Sequence, residues 1–245
     1  MRRSGGRTAD ALRPVRLEPG YLDFADGSAL VIWGRTRVLC AASVVNQVPP
    51  FKQYSGEGWV TAEYAMLPRA TASRQPREGL AGRPRGRSQE IQRLIGRALR
   101  AVCDLKALGE RTVIVDCDVL QADGGTRAAA ITGAFVALAL ALEPLRRREE
   151  LEVLPLTGQV AAVSLGRVGG ALLLDLDYEE DSQAEVDATV VGTARGELVE
   201  VHVAGEGRTF PPELLPELLI LAARGLEPLF RLQVEALAPW LPLPW

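Results

Sequence analysis

Residues 127–142 constrain the fold of this chain more than any other stretch. They are almost wholly apolar and rich in alanine, and Ala134–Leu142 contains no polar residue. A helix without a polar face has no side to offer to water, so this segment predicts a helix buried on most sides. The nine-residue apolar run is far short of the roughly 18 residues that a membrane span requires, so no span and no membrane partner are expected. The chain is long enough to build such a core. Its 245 residues fit one large domain or two small ones, and 47% apolar with 24% charged residues is ordinary globular composition.

Around that helix the pattern alternates between strand-like and helix-like runs. Ala29–Gly34, Arg37–Val45 and Trp59–Met66 read as strands after a polar N-terminal arm. Residues 68–87 are rich in Arg, Gly and Pro and show no period, which predicts a long mobile loop. Ser88–Leu105 carries Ile91, Leu94, Ile95, Ala98, Leu99 and Val102 at helical spacing, with Ser88 as the expected N-cap. Thr112–Leu120 reads as a strand, followed by a Gly-Gly turn into the apolar helix. The second half repeats this grammar. Gln159–Leu165, Ala171–Asp177, Ala184–Val191 and Leu198–Val203 are short strand-like runs, and Pro212–Leu237 is a long amphipathic helix with Pro228 as a possible bend. Residues 238–245 form an apolar, Pro-rich tail that is not expected to be helical. Strands then helix, twice over and without regular βαβα alternation, predict an α+β fold with mixed sheets packed on helices. No linker divides the chain, so residues 1–245 are taken as a single domain.

Charge is distributed unevenly. Residues 1–127 carry a net charge of +7 and residues 128–245 a net charge of −10, although the total is only −3. Such a split points to a polyanionic partner. Three cysteines, Cys40, Cys103 and Cys117, form no CxxC pair and lie in apolar runs, as buried thiols in a reducing cytosol do. No hydrophobic core follows the basic N-terminus, so no secretory peptide is expected and the expected location is cytoplasmic. With one histidine, His202, a His-based triad or a multi-His metal site has little to work with.

Three constellations could carry chemistry. Nine arginines and two acids lie between Arg69 and Arg100, and arginine forks suit a phosphate backbone. The absence of aromatic residues among Arg74, Arg77, Arg83 and Arg85 favours backbone contact over base readout. Gln121–Arg127 places a Gly-Gly turn, a hydroxyl and an arginine at a helix N-terminus, where backbone N–H groups attract anions. It lacks the lysine and spacing of a Walker loop. Asp175–Asp187 holds seven carboxylates and no base in thirteen residues, and oxygen ligands of this kind suit Mg²⁺ or Mn²⁺. Each also has a plain reading, as a solvated loop or an ordinary strand–turn–helix connection. Together they fit phosphoryl transfer, where positioning and charge stabilisation do most of the work.

At these residues the chain resembles the ribonuclease PH family of phosphate-dependent 3′-to-5′ exoribonucleases, relatives of polynucleotide phosphorylase and the exosome ring. The resemblance runs almost end to end. It rests on Gly6-Arg7, Asp10 and Leu12-Arg13-Pro14; on Gly58-Trp59-Val60-Thr61-Ala62-Glu63-Tyr64 with Met66-Leu67-Pro68-Arg69-Ala70-Thr71; on Gly86-Arg87 and Glu90–Arg100; on Asp116–Arg127; and on Leu174–Ser182. It implies an α+β fold with a ribosomal-protein-S5-like core and a hexameric ring built as a trimer of dimers. It implies that Arg87, Gly125, Thr126 and Arg127 bind the attacking phosphate. It implies that Asp181 and Asp187 are catalytic and hold Mg²⁺ or Mn²⁺, and that Arg69, Arg74 and Arg77 grip tRNA. The implied reaction trims the 3′ ends of tRNA precursors, releases nucleoside diphosphates, and also runs in reverse; the alternative is a non-catalytic RNA-binding ring subunit. Two departures from the family pattern stand out: Thr189 where an Asn is usual, and His202-Val203-Ala204 where Gln-Gly-Thr is usual.

Overall fold

The computed structural model of the chain describes residues 3–78 and 86–241. Among the described residues nine strands form two sheets. In the first half these are β1 (Val15–Pro19), β2 (Gly27–Trp33), β3 (Thr36–Val45), β4 (Trp59–Met66) and β5 (Thr112–Gln121). They assemble in the order β1-β2-β3-β5-β4, antiparallel except for the parallel β4–β5 pair, whose register begins at Trp59 opposite Thr112. Parallel neighbours need a crossover. Here it comprises α1 (Gly86–Arg100) and α2 (Leu105–Leu108). After α3 (Thr126–Arg147), the second sheet takes the order β7-β6-β8-β9, all antiparallel, from β6 (Val160–Val168), β7 (Ala171–Leu174), β8 (Val186–Thr193) and β9 (Leu198–Gly205). One turn of helix, α4 (Tyr178–Asp181), joins β7 to β8, and α5 (Leu214–Leu237) follows the sheet.

The apolar helix organises everything else. α3 is buried on all sides, and most of its residues belong to one core shared by both halves. Its Gly133 lies against Val31 of β2 and Cys40 of β3, where a Cβ would collide. On the other side its N-terminus approaches Ser164 of β6, and Gln233 of α5 reaches the Thr132 carbonyl at 3.1 Å. α5 covers the opposite face of the second sheet, with Gly225 against Val163 and Leu174. By length and composition α3 could cross a membrane, but here it is the shared core helix.

Several sequence expectations need correction. The helix expected over Ser88–Leu105 is two helices. α1 starts at Gly86, with Ser88 buried inside it, and ends at Arg100; Asp104 then caps α2, accepting from the Lys106 and Ala107 amides at 3.0 and 3.1 Å. A capping aspartate is a start signal, and apolar spacing alone hides it. The strand expected over Ala171–Asp177 stops at Leu174, because Asp175 turns into the left-handed region (φ 57°) and Asp177 caps α4 with a capping box. The N-terminal arm contains β1 and is pinned by buried ion pairs. α5 is continuous through Pro228. Of the expected loop over 68–87, residues 79–85 and thus Arg83 and Arg85 lie outside the described residues, and Gly86-Arg87 already belong to α1. The tail begins with Trp240 packed against Gly20 and a buried Leu241; 242–245 also lie outside the described residues.

Candidate active site

The site forms where the N-terminus of α3 meets the second sheet. Strand register fixes its floor. Ser164 and Gly166 of β6 pair with Thr189 and Asp187 of β8, which pair with His202 and Ala204 of β9. Cross-strand partners share a face, and Ser164 places that face towards α3: its Oγ lies 3.3 Å from where a Gly125 Cβ would stand. Both departures from the family pattern therefore meet on this floor, Thr189 opposite His202 and Ala204 opposite Asp187.

The wall is the turn that starts α3. Gly124 and Gly125 both have positive φ (78° and 66°), and no side chain caps the first helical turn after Gly125. Its N–H groups are thus available to an anion. Thr126 is fixed from behind by Tyr64 of β4, whose hydroxyl donates to Thr126 Oγ1 at 2.9 Å. Burial pushes the Tyr64 phenol up, which keeps it a neutral donor. Arg127 is loosely tied to Glu90 of α1 at 3.4 Å, while Arg87 is exposed at the start of the same helix. Among the described residues two polar atoms here are buried without a partner, Arg127 Nε and Ser164 Oγ. Orphaned buried donors are rare enough to require an explanation. An anion at this turn would supply one for Arg127.

Asp181 ends α4 and Asp187 is the second residue of β8, so the intervening turn folds the two carboxylates back towards one cluster. Burial is the main cause that raises the Asp181 carboxyl, and the Asp187 charge adds to it; Arg87 and Arg127 act in the opposite sense. Asp181 still presents its side chain to solvent, so the burial here is crowding by surrounding protein rather than loss of surface. Asp187 is likewise raised, mainly by burial, against the pull of Arg127, His202 and Arg87. Neither side chain has a hydrogen-bond partner among the described residues. The structure thus brings together Asp181, Asp187, Arg87 and the Gly125-Thr126-Arg127 turn. Among the described residues no group of three or more Asp, Glu, His or Cys is placed to hold a metal. Two carboxylates whose charge is poorly compensated nevertheless suit a hard cation that keeps several waters and shares substrate oxygens.

The three arginines expected to grip RNA all lie on the segment that follows β4. Arg69 lines a cavity of about 540 Å³ with Arg35, Gln121, Asp123, Tyr178 and Glu179, beside α4. Arg74 and Arg77 are exposed on the segment leading to residue 78, and the charge of Arg77 is felt by Asp118 of β5.

Sequence reasoning missed the framework behind the site. Arg13 donates to Asp175 from its backbone N (2.6 Å), Nε (3.0 Å) and an Nη (2.6 Å). Trp33 Nε1 donates to the same carboxylate at 2.9 Å. Arg3 forks onto Glu180 at 2.8 and 2.9 Å, and Arg7 lies between Asp175, Asp177 and Glu180. The motif Leu12-Arg13-Pro14 was visible, but its partner lies 162 residues away.

Comparison with known proteins agrees with this architecture. Residues 11–144 match the sequence model of the 3′ exoribonuclease family, domain 1, and residues 158–225 that of domain 2. The chain is 55% identical over 233 residues to ribonuclease PH of Solibacter usitatus (strain Ellin6076), covering 95% of this chain and 98% of that one. Among solved structures it resembles the Archaeoglobus fulgidus exosome with RNA bound to the active site, with a TM-score of 0.79 and 27% identity over 92% of this chain and 91% of that chain. An archaeal exosome core has the same fold, with a TM-score of 0.76 and 24% identity over 94% and 91% of the two chains.

Proposed function

The chain belongs to the 3′ exoribonuclease family that includes ribonuclease PH, and on that premise we propose that it shortens RNA from the 3′ end by phosphorolysis. Inorganic phosphate, bound by Arg87 and by the backbone and side chains of Gly125, Thr126 and Arg127, attacks the phosphorus of the last phosphodiester. The bond from that phosphorus to the preceding 3′ oxygen breaks. A nucleoside diphosphate leaves, and the RNA is one nucleotide shorter. The reverse reaction adds a nucleotide from a diphosphate and releases phosphate, which makes the enzyme a nucleotidyltransferase.

The observation that carries this reading is the pairing of an uncapped, cationic helix N-terminus with two carboxylates raised by burial. The first suits a phosphate nucleophile. The second suits a proton donor to the departing 3′ oxygen while a carboxyl is protonated, since a raised carboxyl retains its proton closer to neutral pH, and a cation site once both are ionised. Mg²⁺ or Mn²⁺ held by Asp181 and Asp187 would supply charge neutralisation at the reacting phosphates. Arg69, Arg74 and Arg77 would hold the RNA behind its 3′ end through backbone contacts. Precursor tRNAs are the proposed substrate, a hexameric ring of three dimers the proposed assembly, and the cytoplasm the proposed location. A non-catalytic ring subunit is disfavoured because Arg87, Arg127, Asp181 and Asp187 are all present and, among the described residues, apart from a loose contact between Arg127 and Glu90, are not consumed by structural ion pairs.

The test is to incubate a tRNA carrying a 3′ extension with and without inorganic phosphate. Trimming that requires phosphate and yields nucleoside diphosphates is expected. Equal trimming without phosphate, or monophosphate products, overturns the reading.

A further inference from the structure

The two halves of the site come from distant parts of the chain, and one side chain touches both. Arg13 is almost fully buried, at 5% exposure. One edge of its guanidinium, with the backbone N–H, holds Asp175, from which the chain turns into α4 and on to Asp181. The remaining donors reach the carbonyls of Asp123 and Gly124, the turn that opens α3. The same turn is seated directly on the α4 entry, since a Cβ at Gly124 would collide with the Leu176 carbonyl and lie 2.8 Å from the Asp177 carbonyl carbon. Thr36 adds a second clasp: its hydroxyl donates to the Gly124 carbonyl at 2.7 Å and accepts from the Asp123 amide at 3.0 Å.

We infer that Arg13 is a positioning residue that sets the phosphate-binding turn in register with the Asp181-bearing segment, with Thr36 as its second anchor. Arg13 contacts no reacting atom. It acts by fixing the direction of the Gly124 and Gly125 peptide units, and hence of the N–H groups that follow. Asp175 is held in the left-handed region (φ 57°), a conformation an aspartate retains when surrounding contacts over-determine it. Three donors from Arg13 and one from Trp33 supply those contacts. Lysine cannot replace this fork, because a point charge can pair with Asp175 but cannot hold two carbonyls in a plane as well.

The inference rests on the proposed phosphate site, and the experiment separates the two. In the full-length enzyme, Arg13→Lys and Thr36→Val are compared with wild type for kcat and for the KM of phosphate and of RNA, beside thermal unfolding of each variant. Arg13→Lys is expected to raise the phosphate KM tenfold or more with the RNA KM unchanged, and Thr36→Val to raise it several-fold in the same direction. A purely structural Arg13 would lower the active fraction, and with it kcat, at constant phosphate KM, and that result overturns the inference. If Arg13→Lys fails to fold, Thr36→Val decides: a wild-type phosphate KM in that variant also overturns it. A wild-type enzyme that needs no phosphate would instead overturn the proposed function.

Discussion

Thirteen residues, Asp175 to Asp187, contain two sets of carboxylates with opposite fates. Asp175, Asp177 and Glu180 are buried and gripped by Arg3, Arg7 and Arg13 of the N-terminal arm. Among the described residues Asp181 and Asp187 have no such partner, and their carboxyls are raised. Asp177 goes the other way. Burial alone would raise it, but Ser4, the Glu180 amide and Arg7 outweigh burial and lower it. The arm thus neutralises the acids that build the segment and leaves Asp181 and Asp187 to the weaker pull of Arg87 and Arg127. Residue type cannot separate the sets; only the placement of three distant arginines does.

That contrast can be broken from either side. Asp187→Asn should cut phosphorolysis about 10³-fold, in the range expected when a proton donor is removed, while RNA binding stays within a few-fold. A turnover assay beside a filter-binding titration checks both. Asp175→Asn should act on the fold instead. It leaves Arg13 buried without its counter-charge, a change that costs about 3–5 kcal/mol and lowers the thermal midpoint by on the order of 10 °C. A thermal melt that matches wild type would erase the distinction between the sets.

The pH dependence of stability should also run in opposite directions. A raised carboxyl, as at Asp187, favours the folded state below its unfolded pKa, and that contribution is lost as pH rises through the folded value. The lowered carboxyl of Asp177 contributes above its unfolded pKa, and that contribution is lost as pH falls through the folded value. Asp187→Asn should therefore gain stability relative to wild type as pH rises from the acid range towards 7. Asp177→Asn should lose it over the same rise. Urea midpoints at a series of pH values separate the two. The smallest effect is expected at Tyr64→Phe, which removes one hydrogen bond to Thr126 worth about 1 kcal/mol. Phosphate KM should shift by less than tenfold.

Sequence and structure agree best where local pattern decides. β4 at Trp59–Met66 and the Gly-Gly turn before α3 lie where spacing put them, and the all-apolar helix is the buried centre. Charge density marked the segments that carry Arg87, Arg127, Asp181 and Asp187, but only the resemblance to the family joined those residues into one set. What stayed hidden was set by long-range geometry. β1 is five residues long and begins in polar surroundings, so its pairing with β2 decides it. Asp104 hid the break between α1 and α2 inside a continuous apolar rhythm. The role of Asp175 depends on Arg13 and Trp33, which approach from more than a hundred residues away.

All three cysteines are buried, two of them, Cys40 and Cys117, directly opposite each other on β3 and β5. Burial pushes the Cys103 thiol up to about 12, and Cys117 is raised as well, by the neighbouring Cys40 thiol and by burial. Such thiols are poor nucleophiles while the sheets stay closed. The chain therefore carries its own opening clock: in a pulse of alkylating reagent, label can enter only as the core parts. Cys40 and Cys117 report on the first sheet, and Cys103 on the link between α1 and α2.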